Sequence, residues 1–256
     1  MSSSQDLAFA REDAEAAWRP GPEQLEEARL AGFIRASGAA GLEELQARAA
    51  RDPAWFWSAA ADDIGIAWQR PPTTILDLAG GPARATWWGG GSFNHAVAAT
   101  EPWARLRPDE QALAWEGEDG EIRQYTWAEL DRAARLAARR LAATGIGIGS
   151  RVGIFLPMLP ETVIAVLALG RLGAIFTPIF SGYAAPAVAA RLEAFAATHL
   201  ITADGFLRRG AVIPLKEVAD AAVALAPTVR RVIVVRRLPA TPIEIDPQRD
   251  LIWDGS

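Results

Sequence analysis

Two successive arginines, Arg208 and Arg209, follow an apolar run at residues 199–203. A guanidinium carries a permanent charge and parallel donors, a geometry that suits phosphate. On residue types alone such a pair is most often a solvated surface, so the reading needs a second support. Phe180-Ser181-Gly182-Tyr183 offers one, because it closes another apolar run and open α/β sheets bind ligands beyond the carboxyl ends of their strands. Other chemistries lack their groups. The chain has no cysteine and only two histidines, His95 and His199. Neither histidine has a visible Ser or Asp partner, and no His/Asp/Glu cluster has metal-ligand spacing. Lys216 is the single lysine. The turn Gly145-Ile146-Gly147-Ile148-Gly149-Ser150 invites a phosphate-loop reading, but a phosphate loop follows a strand and opens a helix. Here a helical pattern ends at Gly145 and a strand pattern begins near Arg151, so the glycines cap and turn.

These candidates need elements to hold them. Residues 151–191 organise the chain: an apolar run at 152–156, a break at Pro157 and Pro160, a nearly all-apolar segment at 161–172, and a second run at 174–180. Short apolar runs on either side of a buried helix predict a βαβ unit in a parallel sheet covered on both faces. Downstream, the pattern predicts a helix over 184–197, a strand over 199–203, a helix over 214–225, and a last clear strand over 231–235. Upstream, 112–115 and 122–125 flank an acidic turn and predict a hairpin. Thr126-Trp127-Ala128-Glu129 is a capping box. The helix it opens carries Leu130, Ala134, Ala137 and Leu141 on one stripe, with Asp131, Arg132, Arg139 and Arg140 largely off it. This alternation predicts an α/β, doubly wound, mostly parallel sheet.

Residues 1 to about 50 predict two amphipathic helices separated by Gly38 and Gly41. Residues 52–103 are dense in tryptophan and proline, with a triple-glycine turn, and predict a segment wrapping a core without long regular elements. The 256 residues, half of them hydrophobic and 22% charged, have the composition of a soluble globular protein. A net charge of −5 without any basic run argues against a nucleic-acid partner. The first residues carry acids where a signal peptide needs a basic region. Glycines and prolines interrupt the uncharged stretch 172–190, which argues against a membrane span. The expected location is the cytoplasm.

The order and spacing of several short phrases resemble the AMP-forming acyl-CoA synthetases, and most of all the acetyl-CoA synthetase branch of the adenylate-forming superfamily. The central phrases are Arg151-Val152-Gly153-Ile154, Leu156-Pro157-Met158-Leu159-Pro160-Glu161 and Arg171-Leu172-Gly173-Ala174-Ile175. Trp55-Phe56-Trp57, Trp88-x-Gly90-Gly91-x-Phe93-Asn94 and Tyr125-Thr126-x-x-Glu129-Leu130 are similar to further family motifs. Phe180-Ser181-Gly182-Tyr183 resembles the family's Phe-Gly-Gly-Phe turn along the coenzyme A channel, with Ser181 for the first glycine. Thr202-Ala203-Asp204-Gly205-x-x-Arg208-Arg209-Gly210 resembles the motif in which an arginine holds a coenzyme A phosphate; Ala211 stands where a lysine often follows. The resemblance therefore implies a coenzyme A channel lined by Ser181, Gly182, Arg208 and Arg209. Glu101-Pro102-Trp103 departs from the branch's usual Asp-Arg-His and takes weight from acetate as the specific acid.

The resemblance implies residues 1–105 as the acetyl-CoA-synthetase-type N-terminal region and 106–256 as the first α/β subdomain, truncated. No Ser/Thr-Gly-rich loop with a lysine is present, and the later Glu-bearing motif and C-terminal catalytic lysine are missing. Those groups would grip ATP and Mg2+. The expectation is the N-terminal portion of a ligase that joins a short carboxylic acid to coenzyme A using ATP, inactive alone, with no catalytic or metal-binding residue and with coenzyme A as its only ligand. The alternative is a non-catalytic module that binds coenzyme A or pairs with another chain. The absence of any visible protection for a sheet edge after Val235 favours the ligase portion. The sequence assigns no oligomeric state.

Overall fold

The structure is a computed structural model and describes residues 18–253; the reading of residues 1–17 lies outside them. The chain forms two compact units, one of residues up to 66 together with 70–91, the other of 67–69 together with 92 onward.

The first unit contains α1 (Pro22–Glu27), α2 (Arg29–Ser37), α3 (Leu42–Arg51) and α4 (Pro53–Ile64), then the antiparallel pair β1 (Thr74–Asp77) and β2 (Thr86–Gly89). Where the spacing predicts two helices up to about residue 50, the described residues form three, because the backbone breaks at Ala28 (ψ 134°). Gly38 ends α2 in the left-handed conformation (φ 74°), and Gly41 precedes α3. Residues 52–103 also differ from expectation, since α4 and a further helix after Asn94 are each 12 residues long. Asp52 accepts a hydrogen bond from the Trp55 amide at 2.9 Å, with Pro53 at the first helical position. That start signal outweighs the local density of aromatics. The tryptophans here pack: Phe33, Phe56, Trp57 and Trp87 meet edge-to-face in succession, with ring centroids 5.3–6.3 Å apart.

The second unit runs α5 (His95–Leu106), β3 (Gln111–Glu116), β4 (Ile122–Thr126), α6 (Trp127–Ala143), β5 (Arg151–Phe155), α7 (Pro160–Arg171), β6 (Ile175–Pro178), α8 (Ala185–Phe195) and β7 (His199–Ala203). A small hairpin follows, β8 (Phe206–Arg208) and β9 (Ala211–Ile213), then α9 (Leu215–Leu225), β10 (Arg231–Val235) and β11 (Asp250–Ile252). Five strands form a parallel sheet in the order β11-β10-β7-β5-β6. This is the expected doubly wound α/β fold. Helices α6 and α7 pack together, as do α8 and α9, and β7 is buried at every residue, as a strand covered on both faces must be.

Local signals set the elements that matter most. The Thr126 hydroxyl accepts from the Glu129 amide at 3.2 Å while the Glu129 carboxylate accepts from the Thr126 amide at 2.9 Å, completing the capping box of α6. The predicted stripe is buried, but so is Asp131, which the spacing places off it. Asp131 pairs with Arg171 of α7 and accepts from Thr100 of α5 at 2.9 Å. Glu101 accepts from the same Arg171 at 3.0 Å, so one arginine binds three helices. The close approach of α5 and α7 requires Gly170: a Cβ there would lie 2.6 Å from the His95 ring.

Beyond β10 the structure corrects the sequence reading. Strand β11 pairs in parallel with β10, Val232 opposite Asp250, so Val235 does not end the last strand and β10 is not an edge. Three residues carry too little pattern to announce a strand, and what holds this one is electrostatic. Lys216 Nζ lies 2.7 Å from Asp220 and 2.9 Å from the fully buried Asp250 carboxylate, and it donates to the Glu244 carbonyl at 3.2 Å. Among the described residues no helix is long and apolar enough to cross a membrane.

Candidate functional site

The strand order fixes where a ligand can enter. From β5 the chain passes to β6 on one side, then crosses back to β7 on the other. The crevice beyond the carboxyl ends of β5 and β7 is thus a topological switch point, the place where open α/β sheets hold ligands. A cleft of about 300 Å³ opens there. Pro157, Met158 and Leu159 follow β5, Ser181 follows β6, Phe206 to Arg208 follow β7, and Arg237 follows β10. Trp115 and Glu118, at the turn end of the β3–β4 hairpin, complete the wall.

Each wall has a local cause. Pro157 and Pro160 stop β5 and start α7, and the Pro157 carbonyl accepts from the Thr162 hydroxyl at 2.8 Å. The Met158 carbonyl accepts from the Trp115 indole at 2.6 Å, which seats the hairpin on this corner. Arg123 makes a bidentate pair with Glu161 in the first turn of α7, at 2.6 and 3.1 Å. Burial opposes the Arg123 charge, but Glu161 outweighs it and the pKa is raised. Burial also raises the Tyr125 hydroxyl beside it, with a further push from Glu161.

Asp204 directly follows β7 and is the residue around which the rest turns. Its side chain is wholly buried. It accepts from the Gly205, Arg237 and Leu238 amides at 2.8–3.1 Å and from Arg236 Nε at 3.0 Å. A buried carboxylate is tolerable only with such a set of donors. Gly205 allows the β8–β9 hairpin to leave here, because a Cβ would sit 2.7 Å from the Ile213 carbonyl oxygen. The hairpin turns on Arg209 and Gly210, both at positive φ (52° and 75°), the conformation of a tight primed turn.

Of the four residues singled out in the sequence, Ser181 and Arg208 line one cleft, although β7 and α8 separate them along the chain. Arg208 is exposed, and among the described residues its side chain has no hydrogen-bond or ion-pair partner. Arg209 occupies the hairpin turn and Gly182 lies against the Phe180 ring, and neither lines the cleft. The turn at 180–183 is braced by the Phe180–Tyr183 ring contact (5.5 Å) and by Arg191 over Tyr183 (4.1 Å). Sequence reasoning missed Trp115, Met158 and Arg237. Met158 could have been found, because it directly follows a predicted strand. Arg237 could not, because Asp204 brings it in from 33 residues away.

His199 is buried, and desolvation lowers its pKa; its ring contacts Thr198 at 2.9 Å and the Thr144 carbonyl at 3.4 Å. Among the described residues no three side chains are grouped to hold a metal ion. The cleft can hold an anion and an aromatic or apolar group together, with Arg208 for the first and Trp115, Met158 and Phe206 for the second.

The matches to known proteins fall on the same elements. A family model described as AMP-binding enzyme matches residues 100–252, and one described as Acetyl-coenzyme A synthetase N-terminus matches residues 42–99. The Acetyl-coenzyme A synthetase of Gemmatimonas aurantiaca is 42% identical over 194 residues, covering 75% of this chain and 29% of the relative. That of Mycolicibacterium smegmatis is 39% identical over 221 residues, covering 86% of this chain and 23% of the relative. The solved structure of Acetoacetyl-CoA Synthetase from Streptomyces lividans superposes with a TM-score of 0.84 at 27% identity, over 93% of this chain and 37% of that one. The chain thus spans 29% and 23% of the length of these two curated relatives.

Proposed function

This chain belongs to the AMP-binding enzyme family, and from that premise we propose that it forms the N-terminal portion of an AMP-forming acid–coenzyme A ligase. Such a ligase joins a short carboxylic acid to ATP, releasing diphosphate, and then transfers the acyl group from AMP to the coenzyme A thiol. Within that scheme this portion contributes the coenzyme A cleft. Residues 1–105 serve as the N-terminal region and 106–256 as part of the first α/β subdomain, in the cytoplasm. Grip on ATP, its Mg2+ and the acid falls to groups beyond those described. Lys216, the single lysine, is buried among carboxylates and cannot reach a reacting phosphate.

One observation carries the reading: Ser181 and Arg208, which among the described residues has no side-chain partner, line one cleft at the switch point of the sheet. Arg208 takes a phosphate of coenzyme A, and the apolar floor takes the remainder of the nucleotide. Calorimetric titration of the purified chain with coenzyme A is the test. Saturable binding, weakened about tenfold or more by Arg208→Ala, is the expected result. Wild-type protein that takes up no coenzyme A would sink it.

The pairing of β11 with β10 supports a second reading, a non-catalytic coenzyme A-binding module, because it covers β10 and leaves only a three-residue strand at that edge of the sheet. ATP–diphosphate exchange with acetate or propionate separates the two. A native polypeptide isolated from its source that binds coenzyme A yet exchanges nothing is the module.

A further inference from the structure

The β3–β4 hairpin walls the cleft without belonging to the sheet that builds it; it is a two-stranded sheet of its own. Its base is fixed, because the Trp127 amide at the start of α6 donates to the Glu110 carbonyl at 3.0 Å. Just above that base the register shifts between Gln111 and Leu113, and such a bulge is where a strand bends. The far end, from Trp115 to Glu118, lines the cleft. Charge fastens that end. Arg237 donates to Asp119 at 2.7 Å and to Glu121 at 2.9 Å. Glu121 also lies 3.5 Å from Arg123, which in turn pairs with Glu161 of α7 at 2.6 Å. Asp119, Arg237, Glu121, Arg123 and Glu161 thus alternate in sign and tie the hairpin both to the loop after β10 and to α7. Both guanidinium carbons lie against the Trp115 ring, 4.7 Å (Arg123) and 5.1 Å (Arg237) from its centre. The hydrogen bond from Arg237 holds the Asp119 carboxyl below its usual range.

Gly117 shows how close this fit is. A Cβ there would lie 2.5 Å from the Asp119 carboxylate, 2.7 Å from the Trp115 ring and 2.9 Å from the Arg237 guanidinium. Gly117 is not in the left-handed region, so the clasp rather than the turn requires glycine. Asp119 and Glu121 are 35% and 43% exposed, so water and salt reach these pairs, whereas β7 is buried at every residue. Local opening takes the weaker restraint first. We propose that the hairpin tip is a gate on the cleft: Arg237, through Asp119 and Glu121, latches it in place, and it swings from the bulge at its base while the parallel sheet stays folded. The latch stands whatever the cleft binds; its control of entry rests on the coenzyme-cleft reading.

Hydrogen–deuterium exchange of the full chain at low and high salt reads the latch without a ligand. Arg237→Met removes the fork but keeps the backbone amide that donates to Asp204. Gly117→Ala keeps every charge but fills the space the clasp needs. Each is expected to speed exchange of the hairpin amides at 114–123 about tenfold or more while the β7 amides are unchanged. In the wild type, added salt should speed the same hairpin amides, and this dependence should flatten in Arg237→Met. Equal acceleration in the hairpin and β7 means a general loss of stability and overturns the proposal, as does no acceleration in either variant. Two variants of different kind guard against one that does not fold. Stopped-flow association of coenzyme A then reads the gate. A rate raised in both variants is expected, and an unchanged rate overturns control of entry while the latch stands. Wild-type protein that takes up no coenzyme A overturns the coenzyme-cleft reading and control of entry with it, and exchange still decides the latch.

Discussion

Lys216 and Arg208 belong to the same stretch after β7, and their surroundings could hardly differ more. Lys216 is 2% exposed and lies within 3 Å of carboxylate oxygens of Asp220 and Asp250, with Arg249 closing the cluster on the same two acids. Arg208 is exposed at the rim of a cleft and, among the described residues, has no such partner. Locally balanced charge is structural here: it fastens β11 to α9 and completes the sheet. Charge left unbalanced beside an open cleft is available to a ligand. Arg237 stands between these cases: it lines the cleft, yet its terminal nitrogens are paired with Asp119 and Glu121.

Breaking the balanced cluster gives the largest effect. Lys216→Met keeps most of the length of the side chain and removes the charge, leaving the buried Asp250 with Arg249 and the Asp246 amide. Removing one partner of a buried pair costs about 3 kcal/mol or more. Urea unfolding followed by circular dichroism should show that loss, and a midpoint unchanged from wild type would mean that the cluster does not hold β11. Coenzyme A affinity, extrapolated to conditions where the variant is folded, should be unaffected.

Acid offers a gentler way to open the same cluster. Burial alone would raise the Asp250 carboxyl, but hydrogen bonds from Arg249 and Lys216 overcome it and leave its pKa lowered. The unfolded chain therefore binds the proton first. Stability from this group is fully present above the ordinary carboxylate pKa of about 3.9 and is lost as pH falls through the depressed value. His199 adds an earlier decline. Burial, helped by Arg230 and Arg231, lowers its pKa, so stability should start to fall below the ordinary histidine value of about 6.5. A stability–pH curve should show both limbs. Lys216→Met should shrink the acid limb and leave the histidine limb in place; if both persist unchanged, Asp250 is not the titrating group.

The same contrast explains what the sequence made legible. The β5–α7–β6 unit could be read because its strands are almost wholly apolar, prolines mark the turn from β5 to α7, and Gly173 marks the turn from α7 to β6. The start of α6 was plain from Thr126 and Glu129, whose capping bonds are local. Ser181 and Arg208 were reachable because each follows a recognisable strand, and strand ends in such sheets converge. The features that escaped depend on partners distant in sequence. Strand β11 has three residues and is held by Lys216 across α9. Arg237 enters the cleft because a carboxylate 33 residues earlier caps its loop. Neither Asp204 nor Lys216 advertises its role, because a buried charge looks like a surface charge until its partners are placed around it.

The smallest expected effect sharpens the comparison most. Arg208→Ala removes a cation that makes no side-chain hydrogen bond or ion pair among the described residues, at the last position of β8, where it pairs only through the backbone with Ala211. Exposed substitutions away from caps, buried networks and strained backbone usually change stability by less than about 0.5 kcal/mol. Arg208→Ala should therefore unfold at nearly the wild-type urea concentration while losing coenzyme A affinity. Lys216→Met should do the reverse. A stability loss of more than about 1 kcal/mol in Arg208→Ala would show that this arginine already has a structural task. The division between balanced charge that builds the unit and unbalanced charge that serves it would then fail at the residue on which it most depends.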